Sequence, residues 1–363
     1  MKRALCRSAF NYFTIAYNGL VGPCVLDWFH TILLGDIRVQ SISQILSSER
    51  YNAFRIMHLK NVFEESMLCH TCGGETGLVP ISYLPNYPMD LTQFSNLTDI
   101  TIKRLFVLEP SNTCTCRCIH CRRYYERDIF PHISDECEKK FMSFALWRKI
   151  SDELDDLKQP LDLMLHWRAE SFSNPNTVKM FQYLIKKKFQ KWIIFDSNLN
   201  NLNKNKIEAL FKSILEGYDV LQTFEFSFSI DAYDKNVYDK IRTQGKFEQV
   251  IRNAKEIIRV RNTLNLNKVH LRIQYIVEPL NYLDTAKFIS FWENIINFDL
   301  DKIYIKRCHG KWPFSNQIPN LYLTTIKKFS LDEQQKSKPY LLLDLDPEKY
   351  YKLDKNKIYN YAD

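Results

Sequence analysis

Cys114, Cys118 and Cys121 are spaced C-x3-C-x2-C in the run Glu109-Pro-Ser-Asn-Thr-Cys-Thr-Cys-Arg-Cys-Ile-His-Cys121. Three thiolates this close can hold three corners of a four-iron cluster and leave the fourth iron without a protein ligand. A cluster that only transfers electrons normally closes that position with a fourth cysteine. An open iron implies a ligand from outside the chain, and a cluster that does chemistry. A second group, Cys6, Cys24, Cys69 and Cys72, lies nearer the start and ends in a Cys-x2-Cys pair. Four thiolates suit a fully ligated iron–sulfur cluster or a structural zinc. Zinc ribbons usually bring two close pairs, whereas Cys6 and Cys24 are far apart in sequence. Cys116, Cys137 and Cys308 are left over.

The bulk properties limit what surrounds these residues. A chain of 363 residues can form one large domain and a smaller one. The net charge of +8 is modest for this length, so a solvated surface accounts for it and a polyanionic partner is not required. Ten cysteines do not read as a disulfide framework in a reducing compartment. No apolar run approaches the roughly 18 residues of a membrane span. The opening Met-Lys-Arg-Ala-Leu-Cys imitates a signal peptide, but Asn11, Tyr12 and Asn18 interrupt the apolar stretch and no small-residue cleavage site follows. The expected location is the cytosol, with no membrane contact.

The elements that must position the cysteines follow from periodicity. Phe10 to Ala16 alternates like a strand, Tyr17-Asn18-Gly19-Leu20 carries the Asn-Gly pair of a tight hairpin, and the return strand runs into Cys24. Ser41 to Lys60 has helical spacing. Residues 1–72 therefore read as a ligand-holding module and residues 73–101, rich in Gly, Pro and polar residues, as a linker. From residue 102, strands alternate with helices. The strands expected are Ile102–Leu108, Leu161–Trp167, Trp192–Asp196, Thr223–Ile230, Val269–Val277 and Lys302–Lys306. The helices fall near Phe141–Leu157, Thr177–Lys187, Lys204–Leu215, Phe247–Arg261 and Asp284–Asn294. Six such units imply an α/β fold with a parallel sheet, open or curled into a partial barrel, whose ligand-binding loops gather at the carboxyl ends of the strands. The cysteine loop follows the first of these strands. Residues 309–363 form a less patterned tail with one apolar run, Tyr340–Leu345.

Across residues 102–308 these motifs resemble the radical SAM superfamily, whose members bind a four-iron cluster through C-x3-C-x2-C after the first strand of a partial (β/α)6 barrel. In that family S-adenosylmethionine (SAM) chelates the open iron. One electron then cleaves it to methionine and a 5′-deoxyadenosyl radical that abstracts hydrogen from substrate. His166-Trp-Arg-Ala-Glu-Ser171 stands in place of the family's Gly-Gly-Glu segment, so the resemblance assigns Glu170 to the SAM amino group. Trp167 and Ala169 occupy positions where glycine is common, and glycine permits close backbone approach to a ligand. Ser197-Asn198-Leu199 replaces a Thr-Asn-Gly segment. Ser227-Phe-Ser-Ile-Asp231 and Tyr238-Asp-Lys-Ile-Arg242 resemble the fourth strand and its loop, which assigns Ser229, Asp231 and Arg242 to the ribose and carboxylate of SAM. His120 holds the place of a ring that packs near the adenine, or is an ordinary loop residue.

The first 72 residues resemble the auxiliary-cluster domain SPASM, or its shortened relative twitch, through Cys6, Gly19-Leu-Val-Gly-Pro-Cys24 and Cys69-x2-Cys72. The resemblance implies a second four-iron cluster with four cysteine ligands. Such domains normally follow the barrel. Here the small hairpin-and-helix domain precedes it, so the order is either permuted or cut from a longer tandem arrangement. The family further implies a peptide, sugar or related metabolite as substrate, oxidised or epimerised, and a flavodoxin- or ferredoxin-like electron donor. Cys308 ends the sixth strand, where radical SAM epimerases place a cysteine that donates hydrogen. The plainer reading is a buried small residue. Cys116 is a bystander or an alternative ligand. Two rival functions stay open. One is RNA modification of methylthiotransferase type, against which stand the four cysteines in place of three and the lack of a basic RNA-binding domain, so nucleic acid is not the expected partner. The other is a degenerate barrel kept as a non-catalytic partner or peptide-binding subunit.

Overall fold

The computed structural model describes residues 6, 8–28, 30–60, 62, 69, 105–121, 123, 140–307 and 341–343. The module begins with a short helix α1 (Ser8–Asn11), a strand β1 (Tyr12–Ile15) and its antiparallel partner β2 (Leu20–Gly22). The Asn-Gly turn forms between them, with Gly19 at φ +89°, a conformation that glycine adopts without strain. A two-residue strand β3 (Gly35–Asp36) pairs with β2. The single helical pattern from Ser41 to Lys60 is two helices, α2 (Ile42–Leu46) and α3 (Glu49–Lys60). Ser41 and Gln44 cap α2 reciprocally, and the break falls where Ser47 and Ser48 turn their hydroxyls back onto the carbonyls of Ser43 and Ile45.

All six expected barrel strands form: β4 (Leu105–Leu108), β6 (Leu161–Met164), β7 (Lys191–Ser197), β8 (Leu221–Ser229), β10 (Val269–Val277) and β11 (Lys302–Arg307). Each is parallel to its neighbour. Two-residue strands β5 (Arg117–Cys118) and β9 (Arg242–Thr243) pair separately. Between the long strands run α4 (Phe144–Asp156), α5 (Thr177–Ile185), α6 (Lys204–Glu216), α7 (Lys235–Ile241), α8 (Phe247–Thr263) and α9 (Thr285–Glu293). Within the tail, β12 (Leu341–Leu343) adds to β11. The architecture is mixed α/β with a mostly parallel sheet.

The sheet does not stop where the barrel was expected to begin. Its order is β12-β11-β10-β8-β7-β6-β4-β1-β2-β3, because β1 lies parallel to β4 with Phe13 opposite Phe106 and Ile15 opposite Leu108. Module and barrel share one sheet. The expected boundaries at 72/73, 101/102 and 308/309 lie outside the described residues.

One sheet face is apolar and covered by helices. Phe224 packs edge-on against Phe181 of α5, and Phe195 and Phe226 meet Phe172. Trp147, Met180, Leu210, Ile257 and Trp292 complete that buried layer. The other face is wetter. Burial alternates strictly along β10, with Arg272 and Gln274 half-buried between fully buried Leu271, Ile273 and Tyr275. A parallel sheet covered on both faces would read as a continuous apolar run. The alternation marks an inner face reached by solvent beneath the strand ends.

Candidate functional site

The cysteine loop leaves β4 at Glu109, and both its flanks are fixed by backbone. Asn112 exchanges hydrogen bonds with Lys140, accepting from its N–H at 3.0 Å, and Met142 N–H donates to the Pro110 carbonyl at 3.0 Å. On the far side β5 pairs with β9 so that Cys118 lies opposite Arg242, and Ile119 N–H donates to Ile241 O at 2.9 Å. The three thiols are close enough to act on one another's ionisation. Burial pushes Cys114 well above the usual thiol range and Cys121 up to about 11, with the neighbouring Cys118 charge the next cause. Cys118 is held down to about 6 by a hydrogen bond from Cys116 and then by Arg242, whose Nη1 is 3.5 Å from its sulfur. Cys116, left over in the sequence, is that hydrogen-bond donor, and its own sulfur accepts from Asn200 Nδ2 at 3.2 Å. Among the described residues, no three His, Cys, Asp or Glu side chains stand at metal-binding spacing.

Glu170, Ser197 and Asn198 converge on this loop. Glu170 N–H donates to Thr113 O at 3.2 Å. Its carboxylate accepts from Phe172 N–H at 3.1 Å, Ser197 Oγ at 3.0 Å and Asn198 N–H at 2.7 Å. A carboxylate offers about four acceptor positions, so one remains for an ammonium group. Burial raises its pKa against these bonds. Asn198 Nδ2 reaches Cys114 Sγ and Thr115 Oγ1, each at 3.5 Å. Leu199 adopts the left-handed conformation at φ +61° that glycine would take freely.

Asp231 and Arg242 sit on the other side and are bound to each other. Arg242 Nε donates to Asp231 Oδ2 at 2.8 Å, its Nη2 joins the same oxygen, and Ile276 N–H donates to Oδ1 at 2.7 Å. Asp231 also has positive φ, +60°. Ser229 ends β8 opposite Gln274, two residues earlier. His120 lies between carboxylates, with Nε2 3.6 Å from Asp231 and Nδ1 3.0 Å from Glu278 Oε1. Burial works to lower the His120 pKa, but Glu278 and Asp231 outweigh it and hold the ring above its ordinary value.

Glu278 was missed by sequence reasoning. It is fully buried, and among the described residues the His120 ring, 3.0 Å away, is the one polar side chain against its carboxylate. Burial raises its pKa. The available signal was its place, a charged residue directly after the apolar strand β10 at the carboxyl end of a parallel sheet. Buried acceptors short of donors are costly, and here they adjoin the cysteine loop through His120. The donor chemistry (three thiols, one open acceptor position on Glu170 and the Glu278 carboxylate beside His120) suits a thiolate-bound cluster with a ligand bearing ammonium and hydroxyl or amine donors.

Of the module's cysteines, Cys6, Cys24 and Cys69 are half-buried, and Cys24 Sγ accepts from Leu26 N–H at 3.3 Å. Cys72 and Cys308 lie outside the described residues. Residues 6–73 match the SPASM family, an iron–sulfur cluster-binding domain. The match opens on Cys6 and takes in all four cysteines, while covering under a fifth of the chain. This SPASM-like region precedes β4 in the chain and contributes β1, β2 and β3 to the same sheet. No curated protein matches the chain. Among solved structures, Streptococcus suis SuiB is 14% identical with a TM-score of 0.45, over 68% of this chain and 50% of that one. The native anSMEcpe structure with bound AdoMet is 13% identical with a TM-score of 0.47, over 66% and 63%. Methylornithine synthase (PylB) is 10% identical with a TM-score of 0.38, over 67% and 72%. No helix among the described residues is long and apolar enough to cross a membrane.

Proposed function

We propose that the chain is a radical SAM enzyme that abstracts hydrogen from a peptide, sugar or related metabolite. The observation that carries this reading is the direct link between the SAM-type segment and the cysteine loop: Glu170 is clasped by Asn198, and Asn198 reaches Cys114. Cys114, Cys118 and Cys121 would hold a four-iron cluster. Such a cluster supplies the one-electron reductive cleavage of SAM to methionine and a 5′-deoxyadenosyl radical.

The protein's own contribution is placement. Glu170 offers its remaining acceptor position to the SAM ammonium. Glu278 offers two oxygens to ribose hydroxyls or the adenine amine, with the His120 ring beside them. Asp231 holds Arg242 against Cys118, where a guanidinium stabilises thiolate charge. The inner sheet face, lined by Asp196, Glu225 and Arg272, would receive a polar substrate. Cys6, Cys24, Cys69 and Cys72 would hold a second cluster that takes up an electron when substrate is oxidised. Cys308 would return hydrogen if the product is an epimer. A flavodoxin- or ferredoxin-like protein would reduce the first cluster.

Anaerobic reconstitution followed by SAM and dithionite tests the reading, with 5′-deoxyadenosine as the expected product. Its absence while Cys114, Cys118 and Cys121 hold their cluster overturns the enzyme reading in favour of a non-catalytic partner. Iron counting should give about eight irons per chain, or about four if zinc fills the second site. Solvent deuterium in the product would support hydrogen return by Cys308, and an unlabelled epimer would exclude it.

A further inference from the structure

Trp167 occupies a position where a glycine would give a ligand close backbone approach, and the Trp167-Arg168 pair looks like damage to the SAM site. Its contacts point elsewhere. Trp167 Nε1 donates to the Val25 carbonyl at 2.8 Å, directly after Cys24. The ring lies 5.3 Å from that of His30 and carries the Arg168 guanidinium 4.1 Å from its centroid. Arg168 Nε donates to Glu109 Oε1 at 2.8 Å, Nη2 donates to Oε2, and Nη1 donates to the Trp28 carbonyl. Glu109 Oε2 also accepts from Tyr17 N–H at 3.3 Å, in the module's hairpin turn. The ion pair is buried, 9% and 1% exposed on its two sides.

We propose that Trp167 and Arg168 are positioning residues that tie the SAM pocket to the cysteine module. One guanidinium joins the root of the cysteine loop (Glu109), the segment carrying Glu170, and the loop that follows Cys24. The fork of an arginine matches a carboxylate in two bonds and stays charged at any working pH. Glu170 lies two residues beyond Arg168, and its N–H holds Thr113, the neighbour of Cys114. The Trp167 indole is bonded to the module, so its bulk lies on that side of the segment. Glycine here would leave the pocket indifferent to the module. With tryptophan and arginine, the geometry of Glu170 depends on the loop that carries Cys24.

The proposal rests on the radical SAM reading for its ligand, and two readouts keep their failures separate. With the full anaerobically reconstituted chain, SAM affinity is measured by equilibrium dialysis without reductant, and amide hydrogen exchange is followed at residues 25–30 and 168–171. Trp167→Gly should weaken SAM binding about tenfold and speed exchange in both segments. Trp167→Phe, which keeps a ring and loses only the bond to Val25, should fall between and guards against a variant that fails to fold. Arg168→Gln and Cys24→Ala should each weaken SAM binding, with less than additive effect when combined. Unchanged SAM affinity in Trp167→Gly, or faster exchange confined to residues 25–30, overturns the coupling. If the wild-type chain binds no SAM, the radical reading fails and the exchange pattern alone decides the clasp.

Discussion

Glu170 and Glu278 are both carboxylates buried at the carboxyl ends of the sheet, and the fold treats them in opposite ways. Glu170 accepts three hydrogen bonds from Phe172, Ser197 and Asn198. Glu278, the more completely buried of the two, has only the His120 ring against its carboxylate among the described residues. A carboxylate saturated by backbone and hydroxyl donors is part of the frame, with one acceptor position left over. A carboxylate buried with a single histidine beside it keeps acceptor positions that an incoming donor would fill. The first kind is legible in a motif; the second becomes visible only when partners are counted.

The side of the site around Glu278 depends on the Asp231–Arg242 pair, and removing that pair should have the largest effect. Asp231→Ala leaves the Arg242 guanidinium buried without its counter-ion and removes the acceptor of Ile276 N–H. The expected loss is about 3–5 kcal/mol of stability, read as a fall in the urea midpoint. A change below about 1 kcal/mol would mean that water or another side chain compensates Arg242. Glu170→Ala comes next. It leaves the donors on Phe172, Ser197 and Asn198 without their acceptor, which at roughly 1–3 kcal/mol each, partly recovered by rearrangement, should cost about 3 kcal/mol. SAM binding should be lost with it.

Acid should loosen the region that connects both sides to the module. Burial, then the Arg168 charge, lowers the His30 pKa from 6.5 to about 4. A histidine with a depressed folded pKa favours the folded state above its unfolded value. The unfolded chain takes up the proton first as pH falls. That stability is therefore complete above pH 6.5 and lost between 6.5 and about 4. The expected contribution is about 3 kcal/mol at most. It should appear as a steeper fall in the urea midpoint for wild type than for His30→Gln over this range; parallel curves would remove His30 from the clasp.

Much of this arrangement could be read from the chain before any contact was known. The six parallel strands were legible because each is a compact apolar run bounded by a helical pattern, and Lys204–Glu216 and Phe247–Thr263 matched to within two residues of their expected ends. Glu170, Ser197 and Asn198 were singled out by the resemblance of residues 166–171 and 197–199 to known segments, and the structure brings the three together. The pairing of β1 with β4 was not, since Phe13 and Phe106 meet across a long sequence gap that leaves no local pattern. Nor was the purpose of Trp167. Its identity departs from the pattern the sequence resembles, and its bond to the Val25 carbonyl leaves no local signal in the chain.

The comparison is sharpest where the expected stability change is smallest. Glu278→Gln keeps the shape of the side chain, removes a charge that burial disfavours and weakens only the contact with His120. The 3.0 Å approach of His120 offsets part of the gain. Stability near neutral pH should therefore change by less than about 1 kcal/mol, or rise. The pH dependence carries the same sign: a carboxylate whose folded pKa is raised is most stabilising below its ordinary value of 4.5 and loses that contribution as pH rises through the folded value. Wild type should thus lose ground to Glu278→Gln on going from acid to neutral pH. SAM affinity should move the other way, weakening about tenfold as a charged acceptor is lost. A variant that unfolds like Glu170→Ala while binding SAM normally would make Glu278 a structural carboxylate and reverse the assignment of the two.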